Sequence, residues 1–130
     1  MPSTPPIIVA SEDRDRLSPL LASAGSEVAA SLLAELERAE IVPLAEVPYD
    51  VVVMESELEY EVVGTRQRRR LQLVFPRDAD SDAGRVSVLA PLGCALLGLR
   101  VGQRIDWEMP GGMRTLRVVA VDRSPVAVAG

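Results

Sequence analysis

Ser87–Gly112 reads SVLAPLGCALLGLRVGQRIDWEMPGG, and the fold is decided in this block. It strings together S-V-x-A-P-x-G-x-A-L-x-G, a V-G pair shortly after, and I-x-W-x-x-P-G-G. Glycine and proline at this density leave room for only short elements. Leu92–Leu97 can form one or two helical turns. Arg104–Glu108 and Thr115–Val121 read as strands joined through Pro110-Gly111-Gly112, where glycine permits the positive φ of a tight hairpin. The block has no His, no Lys and a single Cys. It carries no conventional catalytic arrangement and reads as a surface for contact.

Upstream of the block the period is that of strands. Leu58, Tyr60 and Val62 alternate with Glu57, Glu59 and Glu61, and Arg70-Leu71-Gln72-Leu73-Val74 alternates again after Gly64. With the apolar run Val51–Met54 these predict antiparallel strands with one wet face. Asp78–Gly84 is a polar loop and Arg85–Val88 a short strand. Further back the period becomes helical. Ser11 is a candidate N-cap ahead of Glu12, Asp13 and Asp15, whose charge suits a helix start. Pro19 either kinks this helix or restarts it with Ser18 as a cap. Ala24-Gly25 breaks it, Ser26 caps a second helix, and Val28, Leu32, Leu33 and Leu36 form its apolar stripe. Ile7–Val9 is a possible strand or docking segment, and Pro43 and Pro48 mark a linker. The fold class is therefore α+β: a short antiparallel helical hairpin over 1–48, then a β-sheet domain with a short helix over 49–130.

Size and composition narrow the function. With 130 residues, 48% hydrophobic and 3% aromatic, the core must be built from Val, Leu, Ile and Ala. The net charge of −5 sits in residues 1–48, which hold three arginines against eight acids, while 49–130 balance at eleven of each. An acidic front half disfavours direct nucleic-acid binding, which needs clustered positive charge, and suits a basic protein surface. The lone Cys94 excludes an internal disulfide, which makes the cytoplasm the default compartment. No leader pattern or membrane span is expected, and oligomeric state is open.

Each motif that suggests chemistry fails on a required residue. Gly93–Gly98 has the glycine spacing of a phosphate loop, but Leu99 and Arg100 follow where Lys and Ser or Thr are needed. Asp78, Asp80 and Asp82 open like a calcium loop, yet Ala83 replaces its glycine and Leu89 its bidentate glutamate. Arg66, Arg68, Arg69 and Arg70 form a basic patch that either pairs with Glu55, Glu57, Glu59 and Glu61 across a hairpin or meets nucleic acid, for which the few aromatics offer no stacking platform. Cys94 reads as an apolar filler without a base. Trp107 and Pro110 read either as core and turn or as an exposed contact. No catalytic residue, cofactor or metal site is expected.

The chain resembles the regulator of nucleoside diphosphate kinase (Rnk) family, short relatives of the Gre transcript-cleavage factors. The likeness runs through Leu33–Ala39, Val47–Met54 and Val74–Pro76, and is most specific over Ser87–Gly112. It implies an FKBP-like sheet domain behind a helical pair, and RNA polymerase as partner, approached at the rim of its secondary channel. In Gre factors a long coiled coil carries two carboxylates to the active centre, where they help hold a second magnesium ion. In this chain the expected tip, Ala22–Glu27, offers one acid on a helix of ~22 Å. The resemblance thus implies a polymerase-binding regulator without cleavage activity. It would dock through Ser87, Ala90, Pro91 and Leu92, with Trp107 and Pro110 as lesser contacts. Two other readings stand beside it. One is an FKBP-like prolyl isomerase, whose pocket would need Phe75, Trp107, Tyr49 and Tyr60; the other is an adaptor for a different partner.

Overall fold

The computed structural model describes residues 7–109 and 111–123. Its first helix, α1, spans Ser11–Ala24 and runs without interruption through Pro19. Ser11 is not the cap. The cap position falls on Ala10, and Ser11 takes the first helical position, its hydroxyl donating to Glu12 Oε1 at 3.0 Å. Nor does the helix restart at Ser18, whose hydroxyl donates to the Arg14 carbonyl at 2.9 Å inside the same helix. Pro19 lies on the exposed side, where the carbonyl deprived of an N–H partner can be hydrated. Gly25, at φ 67°, ends the helix, and Ser26 caps α2 (Glu27–Arg38) by accepting from Ala29 N–H at 3.1 Å. Ala29, Leu32 and Leu36 are buried along α2.

Two strands flank the hairpin. β1 (Ile8–Ala10) pairs in parallel with β2 (Glu40–Val42), Val9 lying opposite Ile41. β2 occupies what sequence reads as the start of a linker. Parallel pairing across a helical crossover leaves no local turn signature to detect.

The main sheet contains β3 (Glu57–Val62), β4 (Arg68–Val74), β5 (Arg85–Ser87), β6 (Arg104–Met109) and β7 (Gly112–Asp122), in the order β5-β4-β3-β7-β6. Four strands form the expected antiparallel arrangement. β5 joins β4 in parallel, with Leu73 opposite Val86. Two 3-10 turns, Pro76–Asp78 and Ser81–Ala83, carry the chain back so that β5 runs with β4. A short helix, α3 (Pro91–Leu96), follows β5.

Val51–Met54 is not a strand. All four residues are at most 1% exposed, and in place of a strand ladder the segment has a Val51–Arg100 bridge and backbone bonds of Val52 with Leu99 and Gly98. A run apolar at every position has no wet face to offer, and it threads the interior as irregular backbone. One core unites hairpin and sheet: Leu17, Leu21, Leu32 and Leu36 pack in the same cluster as Leu58, Leu73, Leu96 and Leu116.

Candidate partner-binding surface

The loop from β5 into α3 is shaped by its first residue. Ser87 Oγ accepts from Leu89 N–H at 3.0 Å, and the Ser87 carbonyl accepts from Ala90 N–H at 3.0 Å. Val88 between them is fully buried and anchors the turn. Ala90 leaves the loop extended (φ −70°, ψ 145°), and Pro91 takes the first position of α3, where a missing N–H costs nothing. Pro91 is exposed; Ser87, Ala90 and Leu92 are half-buried.

Close packing accounts for the two glycines that suggest a phosphate loop. A Cβ on Gly93 would lie 2.1 Å from the Ser87 carbonyl oxygen. On Gly98, at φ +84°, it would lie 2.6 Å from Ile7 Cβ. Both glycines let the backbone pass its neighbours closely.

Trp107 lies on β6, an edge strand, half-buried and packed against the core. In the hydrogen-bonded order, the Ser87–Leu92 loop follows the strand at the opposite edge. The structure gathers Ser87, Ala90, Pro91 and Leu92 into one turn and leaves Trp107 apart from them. Pro110 lies outside the described residues; the turn beside it reaches Gly112 at φ 119°.

The charged motifs resolve in part into internal pairs: Arg68 and Arg70 join glutamates of β3, whereas Arg66 and Arg69 form no ion pair among the described residues. Arg70 meets Glu57 at 3.1 Å, Arg68 meets Glu59 at 3.4 Å, and Arg117 pairs with Glu61. Glu55 does not join this ladder; it is held by Arg16 of α1 at 3.1 Å. Asp80 caps its own loop, accepting from Asp82 and Ala83 N–H groups. Among the described residues no group of three or more acidic, Cys or His side chains is placed to hold a metal ion. Cys94 is half-buried, its sulfur 4.0 Å from the Val28 carbonyl. Burial pushes its thiol up, with Glu35 adding to the effect, which opposes thiolate formation.

The sequence reading missed two clamps. Asp13, 2% exposed, accepts from Met54 N–H at 3.0 Å and from Arg16 at 2.7 Å. Burial raises its pKa, against the opposing pull of Arg16 and of the Met54 amide. Arg16 also lies 4.7 Å over the Phe75 ring. Together they fix the Met54–Glu55 turn, where Glu55 has φ 70°, and Arg16 borders a cleft of about 500 Å³ with Asp15, Pro19 and Leu20. The i,i+3 spacing of Asp13 and Arg16 is the signal that was available. The second clamp is Arg123, which donates to the carbonyls of Val47 at 2.8 Å, Pro48 at 3.1 Å and Leu44 at 3.2 Å, and stacks over Tyr49.

Comparison with known proteins extends this geometry to a lineage. Residues 47–123 match the model of the GreA/GreB transcription elongation factor C-terminal domain, and residues 5–42 match the Rnk N-terminus. The chain belongs to the Rnk family. Among its relatives is the Escherichia coli K12 protein "Regulator of nucleoside diphosphate kinase", 41% identical over 96% of this chain and 95% of that one. A GreA from Rhizobium leguminosarum bv. trifolii is 30% identical over 68% of this chain, but only 59% of its own length is covered. The solved structure of a prokaryotic transcription elongation factor GreA/GreB from Nitrosomonas europaea superposes with a TM-score of 0.80. It is 40% identical, and the match covers 91% of this chain and 98% of that one. This Rnk-family chain is thus a Gre-factor-like regulator in lineage and fold, and among its described residues no helix is long and apolar enough to cross a membrane.

Proposed function

We propose that this Rnk-family protein is an RNA polymerase-binding transcription regulator that docks at the secondary-channel rim. There it competes with Gre-type factors and does not stimulate transcript cleavage. The observation that carries this reading is where the hairpin's carboxylates are used. Asp13 is buried against Met54 and Arg16, and Glu12 accepts from Leu44 N–H at 2.8 Å. Both lie at the base of α1, whereas the Ala22–Glu27 tip carries only Glu27. Helices of fourteen and twelve residues reach ~20 Å at 1.5 Å per residue. Such an arm brings no pair of metal-binding oxygens to a distant reacting phosphate.

In this reading residues 49–130 form the docking unit and 1–48 the arm. Ser87, Ala90, Pro91 and Leu92 make the principal contact, with Trp107 and Pro110 contributing less. A small apolar loop of this kind gains affinity by shape and desolvation. Any effect on nucleoside diphosphate kinase, the enzyme after which the Escherichia coli relative is named, follows indirectly through transcription. The prolyl-isomerase alternative gains no support from the aromatics. Tyr60 is in the core, Trp107 on the edge strand, Phe75 under Arg16, and Tyr49 against Arg123 at 79% exposure.

The test is binding to purified RNA polymerase core with a Gre factor as competitor and transcript cleavage scored alongside. Mutually exclusive binding without cleavage is the expected result. Cleavage stimulated by this protein, or simultaneous binding of both factors, contradicts it. Pro91→Asp/Leu92→Asp should abolish binding while the circular dichroism of the fold is retained; full binding by that variant would refute the site.

A further inference from the structure

The arginines of the sheet divide by face. On the outer face the Glu57-Glu59-Glu61 column of β3 is neutralised from both sides by Arg68 and Arg70 of β4 and Arg117 of β7. The strand register puts a different set on the core side. Arg69 stands opposite Tyr60, Leu116 lies between Val62 and Ile105, and Arg114 stands opposite Trp107. Arg69 lies across the sheet from Trp107, beyond buried Tyr60 and Leu116, whereas Arg114 is exposed beside Trp107 and forms no ion pair among the described residues. By the same register every acid of β3, β6 and β7 falls on the outer face. Arg66, also exposed, sits in the β3–β4 turn. That turn shares an end of the sheet with the β6–β7 turn, since Val62 pairs with Leu116 and Met109 with Gly112.

We propose that this end of the core-side face, Trp107 with Arg114 opposite it across the strands and Arg66 in the turn at the same end, is a second docking surface, and that it takes an acidic protein segment. In a molecule of net charge −5 it is a local concentration of positive charge with no acid of its own face to quench it. Guanidinium groups recognise carboxylates through paired hydrogen bonds, and Trp and Arg are the residue types in which interfaces concentrate their energy. A nucleic acid is the poorer occupant. Tyr60 is 7% exposed, which leaves Trp107 without the successive stacking partners that single strands use. That the acidic segment belongs to the polymerase rests on the function proposed above; the chemistry of the face does not.

Two measurements separate these claims. The variant is Arg66→Glu/Arg114→Glu, two exposed positions whose reversal leaves the core untouched. In the first, affinity for polymerase core is compared between wild type and variant across a salt series. Reversal should weaken binding about ten-fold or more and flatten its salt dependence. Where the core binds wild type, an affinity unchanged by reversal overturns the proposal. The second uses Trp107, the single tryptophan of the chain, as reporter. Its emission is followed while an aromatic-free Glu/Leu amphipathic peptide of about twenty residues, or an oligothymidylate of about twenty nucleotides, is added. If wild type does not bind the core at all, the polymerase reading fails and this titration decides the face. A peptide-induced shift that reversal abolishes sustains it; silence with the peptide, or a shift with the oligonucleotide alone, overturns it.

Discussion

Asp13 shows how much a single side chain can hold. Its carboxylate satisfies a backbone N–H inside the irregular Val51–Met54 segment, where no strand partner is available. A buried donor left unpaired costs about 1–3 kcal/mol, so Asp13→Ala should lower the unfolding free energy by at least that much in urea titrations. The charge has its own signature. The folded-state pKa is raised above the ordinary 3.8, so the folded protein holds this proton more tightly than the unfolded chain. The associated stability is fully present below about pH 3.8 and is lost as pH rises through the raised value. The difference in unfolding free energy between wild type and Asp13→Asn should therefore move in favour of wild type as pH falls from 7 to 4. Constancy across that range would contradict the assigned shift. Gly93 makes the complementary point. A methyl group there meets the Ser87 carbonyl at 2.1 Å, backbone that cannot step aside cheaply. Gly93→Ala should cost about 1–3 kcal/mol in denaturant unfolding and displace the Ser87–Leu92 turn. The glycine spacing was legible in the sequence; that it served packing against Ser87 was not, because the close approach is made by residues on separate elements.

At the scale of elements, legibility follows the range of the interactions. α2 could be read closely, since Ser26, the Val28–Leu36 stripe and Gly25 all act within a few residues. The β6–β7 hairpin was equally local. What escaped were pairings fixed by tertiary structure: β2 beside β1, β5 parallel to β4, and the apolar run Val51–Met54 threaded through the core. Of the two readings of Pro19, a kink or a restart, the restart does not occur, because Leu17 and Leu21 on either side are buried and carry the helix through. Proline inside a helix costs up to ~3 kcal/mol relative to alanine. Pro19→Ala should accordingly raise the melting temperature, with a gain of about 1–3 kcal/mol in calorimetry; a lowered melting temperature would mean that the ring's contacts in the neighbouring cleft outweigh the backbone defect. The candidate docking loop was legible through family resemblance, while the charge segregation around Trp107 needed the strand register.

For the whole molecule, the shared core has a thermodynamic consequence. Leu17, Leu21, Leu32 and Leu36 from the hairpin and Leu58, Leu73 and Leu116 from the sheet belong to one cluster, so neither part can be exposed without uncovering the other. Unfolding followed by helical circular dichroism and by Trp107 fluorescence should give coincident transitions. Separated midpoints would mean that arm and sheet are independent folding units.

The pairing of β1 with β2 brackets the hairpin at its root, with Asp13 riveting α1 to the Met54 turn a few residues beyond. The hairpin is also held along its length, Val28 against Cys94 of α3 and Leu20 across a cleft from Phe75, so that the Gly25 turn alone overhangs. Amide exchange protection should be lowest at that turn. A rigid beam also transmits orientation, so any surface that grips the sheet dictates where Ala22–Glu27 is aimed, and a rotation of the body by a few degrees becomes a sweep of the tip.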